Sequence, residues 1–285
     1  MRKYFSILML FFFICVHANA QNQPSLLWKI SGNGLQQSSY IFGTFHLLCE
    51  KDINISDTLK SIIHHSQQVF FEIKMDDPDL NKKMMQTISM KDGHQLKEFI
   101  PAKDYSTIDS IFKSKTQISI NFFATYKPYL LVSSLYQSML GFAPVGLEGE
   151  LQKIAKKDSK PIYGLETLEY QMKIFDSIDY TTQAKELSKN VLHFDESRQE
   201  LLQMVKVYQS KDINAIQQFV KADDTFGKYD EILLNQRNVN WIPIIIDQIK
   251  SNPTFFAVGA GHLGGEKGVL NLLKMKGFII TPVLN

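Results

Sequence analysis

Short apolar runs alternate with amphipathic segments along the chain, and this alternation predicts an α/β fold. Ser39 to Phe42 is typical of a buried strand, Ser56 to Ile63 of a capped amphipathic helix, and Gln68 to Glu72 of a second strand. A strand, a helix and a strand within about thirty residues form a βαβ unit, which favours parallel pairing with a right-handed crossover.

The same alternation continues to the end of the chain. Further strands are predicted at residues 161–165, 254–258 and 278–283, and mainly helical segments at 79–140 and 179–252. The expected fold is a mixed, mainly parallel central sheet in two pseudo-repeated halves, with helical insertions. Because no Gly/Ser-rich linker divides the chain, residues 21–285 are predicted to form one domain.

The N-terminus has the pattern of a cleavable secretory signal peptide. Arg2 and Lys3 precede an apolar run from Tyr4 to Val16, and Ala18-Asn19-Ala20 fits the small-x-small cleavage rule. The run is shorter than the roughly 20 residues that a spanning helix needs, which argues against an uncleaved anchor. We therefore expect residues 1–20 to be removed, a periplasmic or secreted protein beginning at Gln21, and no transmembrane segment after cleavage.

Removal of the signal peptide changes the charge and the cysteine count. The whole chain has 31 basic and 29 acidic residues, and the signal peptide contains two of the basic ones. The mature chain is thus formally neutral, which argues against nucleic acid as a partner. Cys15 leaves with the signal peptide and only Cys49 remains, so an intrachain disulfide is excluded.

Two segments of the chain repeat each other. Gly43 to Lys51 and Gly259 to Lys267 both read G-x-x-H-L-x-x-E-K, and each follows an apolar strand. This repeat indicates an internal duplication that holds His46 and His262 just beyond strand ends. In open α/β sheets that edge is where ligands bind.

Two carboxylates follow strands in the same way, namely Glu72 and Glu166. If the four strands are parallel, these carboxylates converge with His46 and His262 on one rim. Two imidazoles and two carboxylates suit a divalent metal ion, and they also suit a metal-free general-base cluster. Each histidine has a structural alternative as a helix cap, and Glu166 as a cap of the helix that starts at Thr167.

Arg237 is a further candidate because it is predicted to face inwards. Leu234, Arg237 and Trp241 are spaced three and four residues apart, which places them on one face of a helix. A buried arginine needs an anionic partner. That partner is either a structural carboxylate or an anionic group of the substrate or transition state.

These residues resemble the TraB/PrgY/GumN family, which includes the TIKI metalloproteases. The resemblance spans essentially the whole mature chain and rests on segments in the family's order: Gly43–His46, the strand ending in Glu72, Lys127-Pro128, Gly146-Leu147-Glu148 with Leu151 and Ala155, Leu165-Glu166-Thr167 with Gln171, Gln236-Arg237-Asn238, and Gly259–His262 with the Gly-Val-Leu and Lys-Gly-Phe tail. It implies a fold like the haem-binding ChaN and erythromycin-esterase group, with two related halves. Glu148 stands where the family usually has aspartate.

The resemblance also implies that the two histidines and the first glutamate form the active centre of a metal-dependent peptidase. We therefore expect an exported hydrolase of peptide bonds, or secondarily of ester bonds, acting on a peptide or small-molecule substrate. His46, Glu72 and His262 are expected to hold Mn, Co or Zn, with Glu166 or Glu148 completing the ligands. Arg237 would stabilise an oxyanion.

Asn238, Gly43 and Gly259 are further candidate site residues. Two alternatives stay open. One is a metal-independent, esterase-like hydrolase with His46 as general base, and the other is a non-catalytic protein that sequesters a peptide or haem.

Overall fold

A mixed six-stranded sheet forms the centre of the fold in the computed structural model, which describes residues 24–223 and 227–284. The sheet order is β4-β3-β5-β2-β1-β6, with strands β1 (Leu27–Ser31), β2 (Ser39–Thr44), β3 (Gln68–Phe71), β4 (Ile162–Gly164), β5 (Thr254–Gly259) and β6 (Ile279–Val283). Strands β4, β3, β5 and β2 are parallel, whereas β1 is antiparallel to both β2 and β6. The α/β class and the mainly parallel sheet are thus confirmed. The predicted signal peptide lies outside the described residues.

Strand β1 was not predicted from the sequence. Four of its five residues pair with β2, to which it is joined by the turn that contains Gly32, Asn33 and Gly34, all of which have positive φ angles. Glycine and asparagine adopt that backbone region readily, so the Gly-Asn-Gly sequence indicates a turn between two antiparallel strands. The signal was missed because the strand is short and carries Lys29 at its middle.

The predicted helical segments are confirmed. The α-helices are α1 (Asp57–His65), α2 (Leu80–Thr87), α3 (Ala102–Thr116), α4 (Pro128–Val132), α5 (Tyr136–Leu140), α6 (Leu147–Lys157), α7 (Leu168–Phe175), α8 (Tyr180–Leu192), α9 (Phe194–Gln209), α10 (Ile213–Ala222), α11 (Gln236–Ser251) and α12 (Val269–Met275). Short 3-10 helices occupy 50–52, 91–93, 96–98, 120–123, 133–135, 227–229 and 260–262, and a π-helix spans Glu231–Asn235. None of the described helices combines the length and apolar character needed to cross a membrane.

The sheet is buried on both faces, which agrees with the nearly continuous apolar sequence of its central strands. Phe255 and Ala257 of β5 pack with α1 and α6 on one face, and Phe256 and Val258 pack with α11 and α12 on the other. A third apolar cluster joins α3, α8 and their neighbours away from the sheet. Because both faces are filled, the carboxyl ends of β2, β3 and β5 are held at fixed positions.

A short bridge brings a distant loop to the end of β2. Leu48 and Val145 form an isolated antiparallel bridge, and the Leu147 N–H donates to the Phe45 carbonyl at 3.1 Å. The first turn of α6, which contains Glu148, therefore lies beside His46.

Candidate functional site

The two repeated motifs end neighbouring parallel strands, but they differ in register by one residue. Thr44, and not Gly43, lies opposite Gly259. His46 follows in a bend, with a side chain that is 69% exposed. His262 ends a turn of 3-10 helix and is only 3% exposed. The same motif therefore places one imidazole at the surface and the other in the interior.

His46 pairs with Glu148. Its Nδ1 lies 2.9 Å from Glu148 Oε1, and the Glu148 side chain is only 11% exposed. This interaction raises the pKa of His46 above its ordinary value, although partial desolvation of the ring opposes the shift. The pair is a surface imidazole held and polarised by a buried carboxylate.

The Glu148 carboxylate is poorly satisfied apart from this contact. Both of its oxygens are buried, and neither accepts a hydrogen bond of good geometry from any described residue. A buried carboxylate in that state is costly unless a cation or proton lies close by. Protonated His46 supplies such a charge.

Arg237 occupies the centre of the cluster behind His46. Its Nη2 donates at 2.6 Å to both Glu72 and Glu166, and its Nε donates to Glu166 at 3.0 Å. Its Nη1 donates to the Leu233 carbonyl at 2.9 Å and lies 3.1 Å from His262 Nε2. A guanidinium has five N–H groups, so these contacts within the described part of the chain use all of them.

The two carboxylates are held by further donors. Glu166 accepts from Trp241 Nε1 at 3.1 Å, and Gln171 Nε2 donates to Glu166 at 3.2 Å and to Glu72 at 2.9 Å. The Gly259 N–H donates to Glu72 Oε1 at 2.8 Å. The strand ends, α7 and α11 are thus tied together through one ionic cluster. Thr167, and not Glu166, caps α7.

Asn238 sets the tautomer of His262. Its Oδ1 lies 2.6 Å from His262 Nδ1, and its amide nitrogen donates to the Lys267 carbonyl at 2.9 Å. The amide therefore presents an acceptor to Nδ1, which carries the proton. The lone pair on Nε2 then faces Arg237 Nη1.

Burial and charge shift the pKa values within the cluster in different directions. Burial and the neighbouring guanidinium of Arg237 lower the pKa of His262 to about 3, so this imidazole is neutral. Burial would raise the pKa of Glu72, but Arg237 and the Gly259 N–H outweigh it and hold the pKa below its ordinary value. Burial raises the pKa of Glu166, against the opposing effect of Arg237.

The candidate glycines allow close packing. A Cβ atom at Gly43 would lie 2.8 Å from Leu263 Cδ1, so this glycine lets β2 pack against the turn after β5. A Cβ atom at Gly259 would lie 3.1 Å from Glu72 Oε1. Gly259 therefore leaves room for the carboxylate that its own N–H binds.

The four residues predicted to hold a metal are not gathered around one vacant position. Glu72, Glu166 and His262 surround the guanidinium of Arg237, and His46 pairs with Glu148 instead. Within residues 24–223 and 227–284, no three His, Cys, Asp or Glu side chains are arranged to hold an ion. The predicted set does not fit a metal as it stands, because a positive group already lies among three of its members. The pair of His46 and Glu148 offers N and O donors, which suit Mn, Co or Zn by their chemistry.

Two cavities meet at the wall formed by His46, Glu72 and Gln171. One, of about 360 Å³, also contacts Arg237 and His262 and extends between α9, α10 and the π-helix. The other, of about 530 Å³, contains Glu148 and opens towards α6. The exposed imidazole of His46 thus stands between two spaces that a ligand can enter.

Some contacts in the site were not predicted. The pairing of His46 with Glu148, the donors Gln171 and Trp241, and the hydrogen bond of 3.0 Å from Tyr208 Oη to the Gly43 carbonyl all come from distant parts of the chain. The four-residue spacing of Arg237 and Trp241 was a usable signal, since residues at that spacing share a helix face.

The protein is an α/β protein with histidines and carboxylates at the carboxyl edge of its parallel strands. Proteins of this class bind ligands at that edge. The sequence profile described as the TraB/PrgY/gumN family matches residues 26–282, and the chain belongs to this family.

A curated relative, Metalloprotease TIKI2 of Danio rerio, is 21% identical over 321 aligned residues. The alignment covers 92% of this chain and 62% of that relative, so the chain spans less than two thirds of the relative's length. No solved structure matches the chain.

Proposed function

We propose that this protein is a hydrolase of peptide bonds in which His46 accepts a proton from the attacking water. The observation that carries the proposal is the exposed imidazole of His46, 2.9 Å from the buried carboxylate of Glu148, at the meeting point of two cavities. A base held by a second group is the usual arrangement for general-base catalysis. The relative named Metalloprotease TIKI2 supports peptide bonds as the substrate class.

In the proposed reaction, His46 removes a proton from water as the water oxygen attacks the carbonyl carbon. Glu148 stabilises the imidazolium that results, because its carboxylate lies beside Nδ1. The proton then passes to the leaving amine as the C–N bond breaks, which completes the hydrolysis. The cluster around Arg237 holds this edge of the sheet in place. Since its N–H groups are all engaged, we assign Arg237 a positioning role and not that of an oxyanion donor.

A metal-dependent form of the same hydrolysis is the second candidate. Arg237 pairs with Glu72 and Glu166, whereas both oxygens of Glu148 are buried and accept no hydrogen bond from the described residues, so a cation beside Glu148 would be favoured. His46 and Glu148 would hold the ion. When bound, such an ion polarises a carbonyl and lowers the pKa of water.

A peptide-cleavage assay with metal analysis tests the proposal. The purified mature protein is incubated with a mixed peptide library before and after verified metal removal, beside the His46→Ala variant. We expect cleavage that is lost in His46→Ala. Cleavage that persists without metal supports the metal-free form, and loss restored by Mn, Co or Zn supports the metal-dependent form. Peptide or haem binding with no turnover would contradict hydrolysis.

We also propose export, on the pattern of residues 1–20. Mass spectrometry of protein made by its native route should give an N-terminus at Gln21. A chain that retains Met1 to Val16 would contradict this.

A further inference from the structure

The larger part of the cavity behind His46 is apolar. Its wall is formed by six hydrophobic side chains from α7, α9, α10 and the π-helix, and we call this space the apolar chamber: Phe175, Met204, Val207, Ile216, Phe219 and Leu234. Ile216 is buried and the other five are half-buried. A concave apolar surface of this kind with a few polar groups at one side is typical of a ligand pocket.

The apolar chamber is continuous with the proposed reaction centre. The cavity of about 360 Å³ that contains it also contacts His46, Glu72, Arg237 and His262. Tyr208 forms part of its wall, and its ring stacks on Phe45 with centroids 4.8 Å apart. A substrate side chain bound in the chamber therefore lies next to the bond that would be hydrolysed at His46.

The charges around the chamber disfavour a charged occupant. Among the described residues of the wall, the permanent charges are Glu72 and Arg237, which pair with each other at 2.6 Å. His262 is already engaged, since its Nδ1 lies 2.6 Å from Asn238 Oδ1 and its Nε2 lies 3.1 Å from Arg237 Nη1. Away from His46, a charged group in the chamber would lose water without gaining a partner, whereas an apolar group would gain from burial.

The cavity on the other side of His46 also has a largely apolar wall, to which charged side chains are added. It contains Glu148, Glu150 and Lys153, and Lys153 pairs with Glu150 at 2.6 Å in a largely exposed position. This side can accept polar groups in contact with water.

We propose that the apolar chamber is the specificity pocket of the enzyme and binds a large apolar side chain, of Leu, Met or Phe size, beside the scissile bond. This inference rests on the proposed hydrolysis of peptides. It adds to that function the substrate class and the residues that select it. The whole cavity that contains the chamber, at about 360 Å³, lies within the size range of small-ligand pockets.

Binding of two short peptides to variants of the mature protein tests the inference without requiring turnover. Val220 lines the cavity on α10, so Val220→Trp should fill the chamber. Val239→Trp is the matched control, since Val239 is 45% exposed on α11 and contacts a separate surface groove. The probes are acetyl-Gly-Phe-Gly-amide and acetyl-Gly-Ala-Gly-amide, titrated by NMR.

We expect the Phe peptide to bind at least about tenfold more tightly than the Ala peptide, since hydrophobic pockets discriminate side chains by roughly 10- to 200-fold. Val220→Trp should abolish this preference and Val239→Trp should keep it. If Val220→Trp does not fold, Phe219→Ala replaces it, because it removes one wall of the chamber and should weaken binding of the Phe peptide several-fold.

Equal affinity for the two peptides in the wild type would overturn the inference, as would a preference that survives both chamber variants. The proposed hydrolysis fails separately, when the peptide library is not cleaved in a His46-dependent way. Preferential binding of the Phe peptide without cleavage would preserve the chamber as a binding pocket and remove only its role in catalysis.

Discussion

The two copies of the G-x-x-H-L motif place their histidines in different environments. His46 is 69% exposed on its side chain and has a raised pKa through Glu148, whereas His262 is 3% exposed and has a pKa lowered to about 3. Identical local sequence therefore gives one imidazole that can exchange a proton with substrate and one that is fixed within a hydrogen-bonded cluster. The difference teaches that environment, and not the motif, decides which histidine can act as a base.

Among the changes considered, removal of Arg237 should have the largest effect, because it disrupts the buried cluster that contains His262. Arg237→Met leaves Glu72 and Glu166 buried without their counter-charge, and we expect the free energy of unfolding to fall by about 3–5 kcal/mol. Urea unfolding of wild type and variant measures this. Lys267→Met is the control, because it breaks an exposed pair with Glu231 and should cost less than about 1 kcal/mol. Equal losses in the two variants would contradict the central role of Arg237.

Replacement of each histidine by alanine should separate catalysis from stability. His46→Ala should lower kcat by at least about 100-fold, which is the lower range for loss of a general base. At a pH well above the folded pKa of His46, where the imidazole is neutral and supplies no charge to Glu148, its free energy of unfolding should change by less than about 0.5 kcal/mol, as expected at an exposed site.

His262→Ala should instead lower the free energy of unfolding by about 1–3 kcal/mol, because Asn238 and Arg237 lose their buried partner. Kinetics and urea unfolding of both variants give the comparison. A stable, inactive His262→Ala protein beside an active His46→Ala protein would reverse our assignment of the base.

The pH dependence of stability should have opposite signs for the two histidines. The pKa of His262 is about 3 when folded and 6.5 ordinarily, so between these values only the unfolded chain binds this proton. The stability that His262 contributes is present above pH 6.5 and is lost as pH falls towards 3, by up to about 1.4 kcal/mol per pH unit. His46, with a raised pKa, contributes stability below pH 6.5 that is lost as pH rises through its folded pKa.

Urea unfolding between pH 6.5 and 4.5 checks the sign for His262. His262→Gln should reduce the slope of the unfolding free energy against pH by up to about 1.4 kcal/mol per pH unit, which corresponds to one bound proton. His46→Gln should not flatten the slope in this range. An unchanged slope in His262→Gln would show that its pKa is not lowered.

The smallest expected effect is a change in the pH dependence of hydrolysis when Glu148, the partner of His46, is replaced. Hydrolysis needs neutral His46, so kcat/KM should rise with pH through a pKa above the ordinary 6.5. Glu148→Gln removes the negative charge that raises this pKa and should move the rise to lower pH. Glu150→Gln, in the same cavity, is the control and should leave the profile in place. Profiles that coincide for wild type and Glu148→Gln would exclude the pairing.

Much of the fold could be predicted from the sequence, because local patterns encode it. Short apolar strand runs and the spacing of apolar helical residues predicted the α/β class, and Ser56 and Thr167 cap their helices as their side chains allow. The positions of Glu72 and Glu166 after parallel strands predicted that they would meet, and they share Arg237.

The sequence by itself also determined which residue types stand at the edge of the sheet, since strand ends and the repeated motif are local features. Only the tertiary structure decided their partners. The hydrogen bond between Arg237 and Glu72 joins residues 165 positions apart, and no local pattern specifies that contact. A one-residue offset between β2 and β5, the bridge from Leu48 to Val145 and the packing of α11 together leave His46 exposed and bury His262. Burial and pairing set the pKa of an ionisable group, and both depend on side chains brought together from distant parts of the chain.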